Sequence, residues 1–304
     1  MSNILVVGSL NADLVVRVPR FPQPGETLSG EDLHVIPGGK GANQAVAAAR
    51  LGANVSMLGR VGSDNFGDFL LNNLQANAVD AHLVQRDAAS TGTAIIVVDE
   101  KGQNSIVLSP GANGQVTPAD VDSASPFHHD LLLLQLEIPS PAVLSAARRA
   151  KEHKVRVILN PAPAKELPDA LIALADFIIP NETELSLLTG LEVKDTPSAE
   201  QAARVLLQRG AQHVIVTMGS KGALIVDMET STQVNTFLVN VVDTTAAGDA
   251  FIGGFASVLE SVSLPEAVRY GCACGALACT RFGAQPSLPV KSAVEQFLRD
   301  HGAA

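Results

Sequence analysis

The stretch DTTAAGDAFIGG, from Asp243 to Gly254, sets two aspartates six positions apart, fills the interval with Thr, Ala and Gly, and runs on into an apolar helix. Side chains this small cover little of the backbone. A helix begins with amide N–H groups that have no partner inside the helix. Together with the helix dipole they form a site for an anion. Asp249 falls in the first helical turn, so a carboxylate stands beside whatever anion binds there. Beside a phosphate that is repulsive. It becomes useful if Asp249 accepts the proton of an attacking hydroxyl while the N–H groups hold a transferring phosphoryl group. An acid in a first turn is also an ordinary complement to the helix dipole, and these residues alone leave both readings open.

Two further stretches carry polar groups. In SLNADLVV, Asn11 and Asp13 are two apart and share one strand face, with Leu10, Ala12 and Leu14 on the other. A lone carboxylate on a buried strand is costly. Two adjacent sugar hydroxyls would satisfy it, because a carboxylate accepts several hydrogen bonds; so would a capped turn at a strand end. In VIPGGKGANQAVAAARLG a Gly-rich turn opens into a helix that is almost all Ala. Glycine permits close backbone approach, and Lys40 and Asn43 are polar groups set next to it. The stretch fails the GxxxxGK[ST] pattern, and Gly39-Lys40-Gly41-Ala42-Asn43-Gln44 lacks the final glycine of a dinucleotide fingerprint. A plain N-cap turn and a polar ligand site both remain.

Apolar runs alternating with helical patterns must position these groups. Strands are predicted at Ile4–Val7, Val55–Gly59, Asp130–Leu136, Val155–Leu159, Phe177–Pro180 and His213–Thr217. Helices are predicted at Gly41–Leu51, Phe66–Ala76, Pro141–Glu152, Glu182–Leu188, Ala199–Arg209, Gly248–Glu260, Leu264–Thr280 and Val290–Asp300. The alternation implies an α/β protein with a mostly parallel sheet covered by helices on both faces. Segments 11–37 and 91–110 break the rhythm, with alternating polarity and turns at PRFPQPG, LSGED and EKGQ. These are antiparallel signals. Inserted between αβ units, the two segments are expected to form a small sheet standing off a single domain, 1–304, as a lid.

GGKGANQAVAAARLG and DTTAAGDAFIGG resemble the two signature regions of the ribokinase-like carbohydrate kinases, and GSLNAD, PGETLSG, LNPAPA, PNETE and GAQPS extend the resemblance end to end. The resemblance implies a Rossmann-like α/β domain with a β-sheet lid. It implies ATP-dependent phosphorylation of the ribose 5-hydroxyl, with magnesium and potassium, in a homodimer formed through the lids. It places Asp249 as catalytic base, with Ala246, Ala247 and Gly248 lining the anion hole. Sugar contacts fall on Asn11, Asp13, Gly39, Lys40, Gly41, Asn43 and Glu137, with Asp249. Nucleotide contacts fall on Asn181, Thr217, Met218, Gly219, Ser220, Lys221, Gly222, Gly248 and Cys272. Such kinases can carry His where this chain has Cys272, which weakens the expectation of a specific adenine contact there. Glu184, with Asn181 in NETE, matches a motif linked to magnesium and phosphate. Asp243, Thr245, Ala278, Arg281, Gly283 and Ser287 match a monovalent-cation site.

The composition excludes other classes. Acidic residues number 31 against 21 basic, for a net charge of −10, which disfavours nucleic acid and anionic membrane surfaces. Cys272, Cys274 and Cys279 lie close together in an Ala-rich run and read as buried thiols rather than a disulfide framework. MSNILVVGSL reads as a strand rather than a secretion signal, and LLLLQLEI is too short to cross a bilayer. A cytoplasmic protein is expected. His128 and His129, after Pro126, are expected in an exposed loop. The rival reading is a kinase of the same superfamily for 2-deoxyribose, another small sugar or a nucleoside. Asn11 suits a sugar hydroxyl, and aromatic residues at 4% offer little surface to a nucleobase. A nicotinamide oxidoreductase would need the missing glycine fingerprint. A sugar sensor would need no acid beside an anion site.

Overall fold

A strand buried on both faces needs apolar residues at every position, and the longest such runs become the middle of one sheet. The computed structural model describes residues 2–124 and 128–301. The first strands are β1 (Asn3–Val7), β2 (Asn11–Arg17), β3 (His34–Gly38), β4 (Asn54–Gly62), β5 (Val79–Asp87), β6 (Gly92–Val98) and β7 (Asn104–Ser109). After them come β8 (Leu131–Leu134), β9 (Arg156–Leu159), β10 (Phe177–Ile178), β11 (His213–Thr217), β12 (Ala223–Val226) and β13 (Ser231–Val234). The helices are α1 (Lys40–Arg50), α2 (Asn65–Ala76), α3 (Pro118–Ser123), α4 (Ser140–Glu152) and α5 (Asp169–Ile172). They continue with α6 (Glu182–Thr189), α7 (Thr196–Gln208), α8 (Ala247–Val258), α9 (Leu264–Ala278) and α10 (Lys291–His301).

Nine strands form the large sheet in the order β13-β12-β11-β10-β9-β8-β1-β4-β5. It is parallel from β11 to β5 and antiparallel at the β11–β12–β13 edge. Side chains alternate across it. Ile4 and Val6 enter one core with α1, α8 and α9, while Leu5 and Val7 enter the other with α4 and α7. Small residues let helices meet closely: a Cβ on Gly253 of α8 would lie 2.5 Å from Ala47 Cβ of α1. That contact sits one helical turn beyond Asn43, Gln44 and Asp249, and so brings these three side chains together.

The chain winds outward from β1 in both directions, through β4 and β5 on one side and β8 to β11 on the other. The reversal lies between β1 and β8. In open α/β sheets ligands bind at the carboxyl ends of strands beside such a switch point. Ser9 and Asn11 follow β1, Gln135 and Glu137 follow β8, Asn160 follows β9 and Asn181 follows β10.

A second sheet of four strands runs β3-β2-β6-β7. Its outer pairs are antiparallel, as the alternation suggested, but β2 and β6 run parallel. The two segments leave neighbouring parts of the large sheet in the same direction, which a local pattern cannot register. Strands β5, β12 and β13 were not anticipated; β5 and β13 are polar and lie at the sheet edges, where one side needs no apolar cover. β8 is shorter than the predicted 130–136. Pro126 lies outside the described residues; His128 is exposed and His129 half-buried ahead of β8.

Asn113, on the 3-10 turn 111–115, joins the small sheet to the body. Its Oδ1 accepts from Leu10 N at 2.9 Å, and its Nδ2 donates to Leu10 O at 2.9 Å and to Asn11 Oδ1 at 2.8 Å. All of this is buried. Asn113→Ala would strand a buried N–H and two acceptors, so a loss of about 2–4 kcal/mol in unfolding free energy is expected by denaturant titration.

Candidate active site

The Gly-rich turn 38–41 packs on the chain just after β1. Gly39 has φ +86, and a Cβ there would lie 2.7 Å from Asn11 N. A Cβ on Gly41 would lie 2.6 Å from Ser9 N. These two glycines are therefore required by the protein's own backbone, whatever else they touch. Gly38 leaves room for a side chain: a Cβ there would lie 2.1 Å from Asp13 Oδ2. Glu137 closes the start of α1, where one of its oxygens accepts from Lys40 N at 3.0 Å and from the Ser9 hydroxyl.

Asp249 is buried at the start of α8. Its Oδ2 accepts from Asn43 Nδ2 at 2.9 Å and its Oδ1 from Gln44 Nε2 at 3.0 Å. Ala246, just before the helix, holds the left-handed conformation with φ 57. That turn strips the helix start of cover. The Ala247 N–H donates to Thr244 O at 3.2 Å, whereas the amides of Gly248 and Asp249 have no protein acceptor among the described residues. A Cβ on Gly248 would meet nothing within 4 Å. Free amides and open space meet here next to a fixed carboxylate.

Charge is concentrated around this point. Asp13 is pushed up to about 7, first by burial and then by the Glu137 and Asp249 carboxylates, with Lys40 opposing. Burial works against the Lys40 ammonium, but Asp249, Glu137, Glu184 and Asp13 together hold it above the usual lysine range. Burial also raises Glu184; the Asn181 N–H and Lys40 oppose that and Asp249 adds to it. One cavity of about 190 Å³ is lined by Lys40, Asn160, Asn181, Glu184, Gly248 and Asp249, among others.

A neighbouring cavity of about 430 Å³ is lined by Asn181, Thr217, Gly219, Ser220, Gly222, Gly248 and Cys272, together with Val239, Val241 and Ala276. Its mostly apolar walls suit a flat ring, and it shares Asn181, Thr217 and Gly248 with the first. Two residues expected there face elsewhere. Met218 is 2% exposed and packs in the core, and Lys221 reaches Glu182 and the carbonyl of Lys194. All three cysteines are free thiols, Cys272 and Cys274 buried and Cys279 half-buried, and burial pushes Cys272 up to about 12.

Of the residues matched to a cation site, Asp243, Thr245 and Gly283 are hydrogen-bonded together just before α8. Asp243 accepts from Thr245 N and Gly283 N, both at 2.9 Å. Burial would raise its carboxyl; those donors, with Arg17, hold it below the ordinary range. Arg281 N donates to Ala278 O at 3.2 Å, and Asp243 N to Cys279 O at 3.2 Å. Ser287 is buried and donates to Ala284 O at 2.7 Å. Asp243, Gly283 and Ala284 also border a cleft of about 470 Å³ that reaches Asp13.

Gln44, Gln135, Asn160, Asn113 and Ser9 were not singled out from the sequence. Gln44 and Asn160 are ordinary amides 116 positions apart, and Gln44 meets Asp249 across 205. The one available signal was the placement of Gln44 directly after Asn43.

Free helix amides beside a buried, amide-held carboxylate, with a ring-sized cavity behind and acids in front, offer the groups that phosphoryl transfer to an alcohol uses. A family model described as pfkB family carbohydrate kinase matches residues 1–291. The chain belongs to the pfkB family of carbohydrate kinases. It is 45% identical to a ribokinase of Haemophilus influenzae, over 97% of this chain and 98% of that one. A deoxyribokinase of Salmonella typhi is 40% identical, with 97% of each chain covered. The structure of Arabidopsis thaliana ribokinase complexed with ribose and ATP superposes with a TM-score of 0.90 at 33% identity, covering 98% of this chain and 99% of that one.

Proposed function

We propose that this protein transfers the γ-phosphoryl group of ATP to the 5-hydroxyl of D-ribose, giving ribose 5-phosphate and ADP. The observation that carries the reading is the Asp249 carboxylate, fixed by two amide donors beside the free amides of Gly248 and Asp249. The Asp249 carboxylate accepts the 5-hydroxyl proton, the freed oxygen bonds to phosphorus, and the bond from phosphorus to the bridging oxygen breaks. The Gly248 and Asp249 amides stabilise charge on the phosphoryl oxygens. Asp13 and Asn43 orient the sugar; Asn43 Oδ1 is buried without a partner among the described residues, so it is free to accept from a hydroxyl.

Asn11 Oδ1 is taken by Asn113, which turns its NH₂ outward as a donor. That suits the 2-hydroxyl of ribose, which 2-deoxyribose lacks. Asn181, Thr217, Gly219, Ser220, Gly222 and Cys272 would line the nucleotide site. Glu184, in the acidic cavity with Lys40 and Asp249, would hold magnesium indirectly, and bound magnesium would neutralise phosphate charge. Asp243, Thr245, Ala278, Arg281, Gly283 and Ser287 offer oxygen donors that fit a hard monovalent cation, which would firm the loop before α8.

The small sheet would act as a lid over the sugar. Val35, Leu14, Ile95 and Val107 pair in one row across it, on the face away from Asp13. Val35, Ile95 and Val107 are exposed, and a second copy of the chain would cover them as a homodimer. Among the described residues no helix is long and apolar enough to cross a membrane; the working compartment would be the cytoplasm.

The test is ADP release by the purified protein with ATP and a panel of pentoses. Ribose is expected to exceed 2-deoxyribose by at least about tenfold in kcat/KM. Chelating magnesium should abolish turnover, and exchanging potassium for a larger organic cation should lower it. A preference for 2-deoxyribose would overturn the substrate assignment, and no turnover of any pentose would overturn the reading as a whole.

A further inference from the structure

We infer that Gln44 aims the Asp249 carboxylate, through a chain of side-chain amides whose direction is set by the backbone carbonyl of Ile179. This rests on the reading of Asp249 as base. A backbone carbonyl only accepts. Asn160 therefore turns its Nδ2 toward Ile179 O, at 3.0 Å, and its Oδ1 is left to accept from Gln44 Nε2 at 3.2 Å. From the other side Gln135 Nε2 donates to Gln44 Oε1 at 2.6 Å. The Asn160 contact sets one orientation for the Gln44 amide, and Gln135, whose own Oε1 has no partner among the described residues, takes the matching one. The remaining Gln44 Nε2 hydrogen is directed at Asp249 Oδ1, at 3.0 Å. A flipped Gln44 would press its oxygen against both the carboxylate and Asn160 Oδ1, two acceptors.

Asn43 differs. It donates to the other Asp249 oxygen, but among the described residues its own Oδ1 has no partner, so no second contact there orients it. Gln44 is 0% exposed and lines none of the three cavities described above. A fully buried amide in an apolar helix is costly unless each polar atom is paired. Here three polar neighbours, from β8, β9 and α8, meet that requirement and converge on one result. Gln44 is a positioning residue: it sets the plane of Asp249 before any sugar arrives, leaving Asn43 to adjust to the substrate.

The test is a double-mutant comparison by ADP release, using the pentose that turns over fastest. Gln44→Met keeps the side-chain length and removes the amide. A fall in kcat of about 10- to 100-fold is expected, with KM for the sugar within about threefold. In an Asp249→Asn background the same change should produce no further fall, because the group it aims is gone. Gln135→Met, which removes the donor to Gln44 Oε1, should lower kcat by about 3- to 10-fold with the same non-additivity. Should Gln44→Met not fold, Gln44→Glu keeps the shape and places an acceptor against Asp249; a loss at least as large is expected, whereas near-normal kcat would overturn the inference. Normal kcat in Gln44→Met, or equal losses in both backgrounds, also overturns it while leaving the base intact. Normal kcat in Asp249→Asn alone would instead sink the base reading.

Discussion

Asp249→Asn is expected to lower kcat by about 10²- to 10⁴-fold while KM for the sugar stays within about threefold. The replacement has the same shape and cannot take the hydroxyl proton. It also changes the local pairing. Asp249 accepts from both Asn43 and Gln44, so a new NH₂ must face one of two donors. Gln44 is held by Asn160, which the Ile179 carbonyl orients. Asn43 can turn, since its Oδ1 has no partner among the described residues. The new NH₂ should therefore face a rotated Asn43, and the fold should survive. Steady-state ADP release, with sugar binding measured by calorimetry, separates the two effects. Turnover within a fewfold of the native protein would remove the base.

The second large effect concerns Asp13 and pH. With its carboxyl at about 7, Asp13 is half protonated near neutrality in the free protein. Only the ionised form accepts at both oxygens. If the sugar binds that form, apparent affinity should weaken by about tenfold per pH unit below about 7 and level off above it. Asp13→Asn should bind the sugar weakly at every pH, with that slope gone. Stability moves the opposite way. The folded pKa is raised above the ordinary 3.8, so the native protein is favoured below that ordinary value and loses stability as pH rises to about 7. Asp13→Asn removes a buried charge and should raise the melting temperature at pH 8. A flat pH profile of sugar affinity between pH 5 and 8 would show that the carboxyl is not coupled to binding.

The polar motifs show how far local sequence reaches. DTTAAGD shows its geometry within a few residues: small side chains bare the helix start and the acid falls in the first turn, though the residues alone leave its role open. Asp243 likewise finds Thr245 two positions on. The run TMGSKG was matched to a nucleotide site by resemblance, yet Met218 turned into the core and Lys221 toward Glu182, because which side of a segment faces a cavity depends on the strands beneath it. The apolar alternation was enough for a parallel sheet with helices on both faces, but missed the polar edge strands β5 and β13.

Composition and periodicity on their own determined the layered α/β architecture, the exposed helix start and the acid beside it, since each depends on neighbours a turn or a strand apart. Only the tertiary structure decided that β2 and β6 run parallel, that Asn113 orients Asn11, and that Gln135, Asn160 and Gln44 converge on Asp249. Those partners come from separate strands and helices, and it is the order of strands around β1 and the close approach of α1 to α8 that bring them within hydrogen-bonding distance.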